Sequence, residues 1–158
     1  MSAEGIPVEI DNEEQIIRFV LSPVHVRPGK DKLKRSVFRP RAGTDLVSVA
    51  RLNYFGGDNC KAKAKEVSTT QKYVGLARVL TTDIRAAGSN VEDAREGYYV
   101  GHAHLLHGFV VPEDDPPDPV LMKQLDDRCD ALLDKAKYFP DPNPDEEKWE
   151  GGDLLGSS

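Results

Sequence analysis

The histidine-rich stretch 101–108, written GHAHLLHG, holds three of the four histidines in the chain: His102, His104 and His107. Imidazole titrates near neutral pH and binds metal ions, so such a cluster is a candidate for acid–base catalysis or for metal binding. On a β-strand, His102 and His104 would share one face, whereas His107 would point to the other. The residue pattern leaves open whether these side chains form a site.

A metal site would start from His102 and His104, which are spaced as a chelating pair. Zinc requires three or four nitrogen, sulfur or oxygen ligands, and this strand supplies two. His25 and Cys60 would have to complete the set, and the chain has no H-E-x-x-H motif. Apart from this zinc hypothesis, the sequence implies no cofactor.

The same stretch also fits a core strand with buried histidines. Gly101 and Ala103 are small enough for a close approach by a packed helix, and Leu105, Leu106 and Phe109 continue the apolar character. Neutral imidazoles in such a strand can hydrogen-bond to backbone groups. This alternative competes with both the catalytic and the metal hypothesis.

A catalytic set would need partners from elsewhere in the chain. His25 and Ser48 lie on or near two other predicted strands, so a catalytic group of His25, Ser48, His102 and His104 requires these strands to converge. The stretch 27–41 carries seven Lys and Arg residues against Asp31, and such a field attracts phosphate. The candidate phosphate-binding residues are Arg18, Arg27, Lys34, Arg35 and Arg39. Through this stretch, the protein is a candidate for binding a nucleotide or nucleic acid.

The two ends of the chain differ in charge. Residues 113–158 carry 14 acidic and 5 basic residues, a net charge of −9, so residues 1–112 carry +3 of the total of −6. Trp149, Leu154 and Leu155 lie within the acidic end, where a flexible segment with apolar anchors is typical of partner docking. The alternative is that Trp149 packs back on the domain.

Length and composition predict one domain. A chain of 158 residues with 39% hydrophobic content can form one core. We expect a flexible N-terminus at 1–13, a single domain at 14–139 and an acidic flexible tail at 140–158. Two cysteines, no signal-like segment and no long apolar run predict a cytoplasmic protein without a membrane segment.

The apolar periodicity predicts alternating strands and helices. Strands are expected at 16–26, 46–54, 73–80 and 98–111, and helices after 56, at 81–88 and from Pro119 to Ala136. The pattern favours an α+β fold with a small twisted, mainly antiparallel or mixed sheet and a C-terminal amphipathic helix packed on one face. We expect the second and fourth strands to lie side by side.

A series of short motifs resembles a group of small uncharacterised bacterial proteins with no known activity. The motifs are Arg18 with Ser22-Pro23-Val24-His25-Val26, then Ser36-Val37-Phe38, Ser48-Val49, Gly75-Leu76-Ala77 and Gly101-His102-Ala103. A second likeness is to ADP-ribosyltransferase-like folds, in which a basic residue or histidine on an early strand precedes a serine or tyrosine. Arg18 or His25 followed by Ser48 resembles that order, but no matching glutamate follows on a late strand.

Two functions follow as hypotheses. The first is a non-catalytic interaction or accessory protein of the bacterial cytosol, whose acidic tail binds another protein. The second is an enzyme that acts on a nucleotide or another phosphate-bearing ligand in a histidine-containing pocket, either ADP-ribosyltransferase-like or a metal-dependent hydrolase. Whether the protein is an enzyme stays open at this level.

Overall fold

The computed structural model describes residues 5–156, which form one six-stranded sheet with helices over both faces. A short 3₁₀ helix lies at Arg35–Phe38. The strands are β1 (Gln15–Ser22), β2 (Leu46–Arg51), β3 (Lys72–Leu80), β4 (Asn90–Asp93), β5 (His102–Leu106) and β6 (Lys137–Pro140). The α-helices are α1 (Leu52–Phe55), α2 (Gly57–Val67), α3 (Thr81–Ala86) and α4 (Pro119–Lys135).

The strand order is β4-β5-β2-β1-β3-β6, and every neighbouring pair is antiparallel. This confirms the α+β fold predicted from the sequence. The predicted second and fourth strands, β2 and β5, are direct neighbours, and Ser48 pairs with His104 while Ala50 pairs with His102.

Helix α4 covers one face of the sheet, as its apolar stripe predicted. Asp118 caps the helix because its Oδ1 accepts hydrogen bonds from the backbone N–H groups of Val120 and Leu121, at 2.9 and 3.2 Å. Leu125, Cys129 and Leu132 of the helix are buried against the core cluster that includes Val47, Val49, Ala103 and Leu105. Each fully buried leucine contributes about 1.5–3 kcal/mol, so this stripe anchors the helix.

The opposite face is covered by α2 and by the C-terminal segment. Cys60 and Ala64 of α2 pack with Ile17 and Ala50 of the sheet, and Leu154 joins the same cluster with 4% of its surface exposed. Alternation along each strand explains why adjacent residues of β1 and β2 belong to different clusters. The sheet is therefore buried between two layers.

Three predicted strands are shorter in the structure than in the sequence pattern. The segment 16–26 ends as a strand at Ser22. The segment 98–111 is extended over five residues because Gly101 and Gly108 adopt positive φ angles of 101° and 86°, which end the strand at both sides. The segment 46–54 ends as a strand at Arg51, where α1 begins. Strands β4 and β6 were not predicted from the sequence, because four residues are too few to show a periodic pattern.

The described part of the N-terminal segment contacts the domain. Residues 1–4 of the predicted flexible stretch 1–13 lie outside the described residues. Ile10 is 3% exposed within the core, and the buried guanidinium of Arg51 bonds to the carbonyl of Pro7 and to the carboxylate of Glu14. These contacts attach residues 7–14 to the end of β2.

Candidate functional site

The site begins where two neighbouring strands separate. β1 pairs with β3 through eight residues, but with β2 only at Ile16 and Ile17. Beyond these pairs, the Arg18 guanidinium donates hydrogen bonds to the carbonyls of Val37, at 2.8 Å, and Ser48, at 3.2 Å. A side chain thus satisfies a β2 carbonyl that a neighbouring backbone would otherwise bond, and space opens between the strands.

A cavity of about 340 Å³ lies at this separation, and we call it the split-strand cavity. Its lining brings together residues from β1, the 3₁₀ helix, β2, β5 and the loops between them. They are Arg18, Val24, His25, Ser36, Arg39, Pro40, Arg41, Leu46, Val47, Ser48, Tyr98 and His104. Of the residues predicted as catalytic, His25, Ser48 and His104 line this cavity, together with the predicted phosphate-binding residues Arg18 and Arg39.

His25 is held in the cavity wall by the backbone after β1. The N–H of Leu21 donates to Nδ1 of His25 at 3.0 Å, and the His25 N–H donates to the Leu21 carbonyl at 2.8 Å. Because Nδ1 accepts, the proton of the neutral ring resides on Nε2. Burial, with the charges of Arg18 and Lys34, lowers the pKa of His25 to about 3. The ring is therefore neutral at pH 7 and offers an N–H donor.

His104 and Ser48 are cross-strand partners that project to the same face. Burial and the nearby Arg41 charge lower the pKa of His104, so its ring is also neutral at pH 7. Neither ring nitrogen of His104 hydrogen-bonds to a residue in the range 5–156. A neutral imidazole with an unoccupied nitrogen is suited to accept a proton.

His102 lies behind the cavity instead of lining it. It is 3% exposed, and neither ring nitrogen has a hydrogen-bond partner among the described residues. Its ring stacks on Tyr98, with centroids 4.3 Å apart and an interplanar angle of 21°, and meets the rings of Tyr99 and His104 edge-on at 5.0 Å. Burial, followed by the His104 charge, lowers the pKa of His102 to about 4. Of the predicted catalytic pair, His104 thus lines the cavity, whereas His102 is buried behind it.

The basic stretch 27–41 does not form one patch. Arg27 and Lys34 line a separate cavity of about 390 Å³ with Lys30, Lys32 and Leu33. Arg35 forms ion pairs with Asp126 and Asp130 of α4. Arg39 bonds to Asp126 at 2.7 Å and also lines the split-strand cavity. Of the predicted phosphate-binding residues, Arg27, Lys34 and Arg35 therefore lie outside that cavity, because the loop turns between two surfaces.

His107 is a structural histidine. Its Nε2 lies 2.8 Å from the Phe38 carbonyl and its Nδ1 lies 2.8 Å from the Ser89 hydroxyl, with 1% of the residue exposed. Since a carbonyl only accepts, Nε2 carries the proton and the Ser89 hydroxyl donates to Nδ1. Burial lowers the pKa of His107, so the neutral form that these bonds require is favoured.

The metal hypothesis finds no complete ligand set in the described part of the chain. Within residues 5–156, no three His, Cys, Asp or Glu side chains lie close enough together to hold a metal ion. Cys60 is fully buried in the cluster beneath α2, and burial raises the pKa of its thiol to about 12. His102 and His104 are left as two potential ligands without a third.

The C-terminal segment packs on the domain through polar contacts. The buried Lys61 ammonium lies 3.0 Å from the Asp141 carboxylate and donates to the carbonyls of Asn143 and Lys148 at 2.7 Å. The Asp58 carboxylate at the start of α2 accepts a hydrogen bond from the Trp149 N–H at 2.8 Å. Of the two alternatives for Trp149, these contacts correspond to packing on the domain.

The three predicted docking residues differ in exposure. Leu154 is buried, and its carbonyl accepts from Arg78 at 2.7 Å. Trp149 is partly buried, and its indole N–H donates to the Gly152 carbonyl at 2.7 Å. Leu155 is 54% exposed and is the one predicted anchor that stays largely accessible.

Sequence reasoning did not single out three polar lining residues: Ser36, Arg41 and Tyr98. Arg41 belonged to the basic stretch but was not among the chosen ligands. Tyr98 was interpreted as the first residue of a strand, whereas it lies in the turn before Gly101. A turn places a side chain according to its local backbone angles, so no periodicity could have indicated it.

Comparison with known proteins identifies no relative. No protein-family model, curated protein or solved structure matches this chain. Among the described residues, no helix combines the length and the apolar character that crossing a bilayer requires.

Proposed function

We propose that this protein is an enzyme that acts on a nucleotide or another phosphate-bearing ligand in the split-strand cavity. The observation that carries the proposal is the convergence of Arg18, His25, Ser48 and His104 on one cavity from three strands and a turn. Residues far apart in a sequence gather at a functional site when chemistry requires them together.

The charge of the cavity favours an anionic ligand. Among the described residues, the lining contains Arg18, Arg39 and Arg41 and no carboxylate, although Arg39 is paired with Asp126 outside the lining. Burial lowers the pKa of Arg18 to about 10, so the guanidinium stays charged while it lacks a carboxylate neighbour in the lining. Guanidinium groups match phosphate in shape and charge, and a bound phosphate would compensate their desolvation.

The two cavity histidines supply proton transfer in this proposal. His25 presents Nε2–H as a donor to a phosphate oxygen, because its Nδ1 is occupied by the Leu21 N–H. His104 has unoccupied nitrogens and accepts a proton from an attacking hydroxyl or water, with the Ser48 hydroxyl beside it. A bound anion raises the pKa of both rings, which moves them toward the range in which acid–base catalysis is efficient.

The lining residues also limit the types of reaction that the cavity could catalyse. ADP-ribosyl transfer that depends on a catalytic glutamate is not supported, since no carboxylate is part of the described lining. A hydrolase that depends on a metal would need ligands beyond His104 and His25. General acid–base catalysis by two neutral histidines uses the groups that are present.

Ligand binding is the first test, measured by isothermal titration calorimetry with pyrophosphate and ADP. We expect Arg41→Gln to weaken binding by about 10- to 150-fold, since one charge-assisted phosphate contact contributes about 1.5–3 kcal/mol. Arg27→Gln is the matched control, because Arg27 belongs to the same basic stretch but lines the other cavity. Equal loss in both variants would contradict the proposal, as would absence of binding to the wild-type protein.

Turnover is the second test, monitored by mass spectrometry of a panel of nucleotides after incubation. His25→Asn retains an acceptor for the Leu21 N–H but removes the imidazole, and His104→Ala removes the proposed base. Both variants should fold and lose turnover. Full activity of either variant would remove that histidine from the mechanism.

A second candidate function is the interaction role predicted from the acidic end of the chain. The exposed Leu155 supports it, because this side chain lines a cavity of about 470 Å³ with Trp149, Leu154, Leu52 and Phe55. In this case, Leu155→Asp should abolish the binding of a partner protein in a pulldown experiment without changing the melting temperature. Loss of phosphate binding in the same variant would argue against a separate docking role.

A further inference from the structure

Tyr98 has an unusual position for an aromatic residue. Among residues 5–156 it is the one aromatic side chain that is mostly exposed, at 56%, and it lines the split-strand cavity. One face of its ring stacks on His102 at a centroid distance of 4.3 Å. The ring of His104 meets it nearly perpendicularly, at 5.3 Å and 85°. The side chain is therefore fixed from behind, and its opposite face is available to a ligand.

His102 has no other evident role than to support that ring. A buried imidazole with both nitrogens unpaired is unfavourable, because its polar atoms lose water without gaining a hydrogen bond. Its contacts are instead with the rings of Tyr98, Tyr99 and His104. This arrangement orders Tyr98 before a ligand arrives, and such ordering reduces the entropy lost on binding.

We infer that the ligand of the split-strand cavity carries a planar aromatic ring that stacks on Tyr98, as the base of a nucleotide does, and that His102 is a positioning residue for Tyr98. The inference rests on the proposed function and specifies its substrate class. The cavity combines an aromatic wall with Arg18, Arg39 and Arg41, which matches a molecule with a flat ring at one end and phosphate at the other. Its volume of about 340 Å³ lies at the small end of ligand sites, which favours a single nucleotide over a polymer.

The test compares three probes by calorimetry: ADP, ribose 5-phosphate and pyrophosphate. ADP should bind more tightly than the two probes without a base. Tyr98→Ala should weaken ADP binding by about 5- to 150-fold, the range for loss of one base–aromatic stack, and leave pyrophosphate binding within about twofold. Tyr98→Phe is the matched control and should bind ADP as the wild type does, because the stacking face is retained.

The role of His102 is tested separately with two substitutions. His102→Ala should weaken ADP binding as Tyr98→Ala does, since Tyr98 loses its support, while pyrophosphate binding is unchanged. His102→Phe should restore ADP binding, because a phenyl ring stacks on Tyr98 in the same way. An ADP affinity of His102→Phe as low as that of His102→Ala would overturn the positioning role.

The outcomes separate this inference from the proposed function. If ADP and pyrophosphate bind equally tightly and Tyr98→Ala changes neither, the aromatic subsite is wrong while the phosphate site stands. If none of the three probes binds, the proposed function fails together with the inference. If ribose 5-phosphate equals ADP in affinity, the base makes no contact and the stacking on Tyr98 is overturned.

Discussion

Two groups of polar side chains among the described residues differ in their hydrogen bonding. In the first group, His107 and Lys61 are enclosed by the chain and bond to its carbonyl, hydroxyl and carboxylate groups. In the second group, around the split-strand cavity, both ring nitrogens of His102 have no hydrogen-bond partner among the described residues, and neither has a ring nitrogen of His104. A polar side chain that is hydrogen-bonded within the protein stabilises the fold. A polar side chain at the cavity without such a bond is available to contact a ligand, as His104 is, or to support an aromatic ring that contacts it, as His102 is.

The comparison predicts its largest effect on stability at Lys61. Lys61→Met removes the ammonium but keeps most of the stem, and it leaves Asp141 buried without its ion-pair partner. We expect the free energy of unfolding to fall by about 3–5 kcal/mol, measured by urea denaturation. Lys65→Met on the same helix is the control, because Lys65 is exposed and should change stability by less than about 0.5 kcal/mol.

The next largest effect is the contribution of His102 to the pH dependence of stability. Its folded pKa of about 4 lies below the ordinary value of 6.5, so the unfolded chain binds a proton more readily and stability is lost as the pH falls from 6.5 toward 4. His102→Phe removes this contribution. Its unfolding free energy should decline less steeply over that window, by up to about 1.4 kcal/mol per pH unit. Identical slopes for the variant and the wild type would show that His102 titrates normally.

The smallest effect distinguishes two histidines that are three positions apart. His107→Leu leaves the Ser89 O–H without its acceptor and removes a donor to the Phe38 carbonyl, so stability should fall by about 1–3 kcal/mol while turnover persists. His104→Leu should show the reverse, with stability within about 0.5 kcal/mol and turnover lost. The same result for both would remove the distinction between paired and cavity histidines.

Much of the fold was predictable because the longest elements have clear periodicity. The stripe of Leu125, Cys129 and Leu132, with Asp118 at the cap, predicted α4 correctly. Strand β3 was also predicted within one residue. In contrast, the predicted strand 98–111 was too long, because positive φ angles at Gly101 and Gly108 interrupt a segment whose composition is continuous.

The types of residue in the candidate site were predictable from the sequence, but which residues line the cavity was not. His25, Ser48 and His104 were among the chosen residues, and the pairing of β2 with β5 was expected. His102 was assigned to the same site as His104 because the two share a strand face. The turn at Tyr98 and Tyr99 covers His102 and excludes it from the lining, and strand alternation contains no information about that turn.

By itself, the sequence determined the α+β class, the α4 helix and the set of polar residues from which a site could form, because these depend on local periodicity and side-chain chemistry. The tertiary structure alone decided that β1 and β2 separate beyond Ile17, that Arg18 bonds across the opening, and that Arg41 and Tyr98 complete the cavity. It also decided that the C-terminal segment packs around Lys61. These features arise from contacts between residues far apart in the chain, and local periodicity does not encode which distant groups meet.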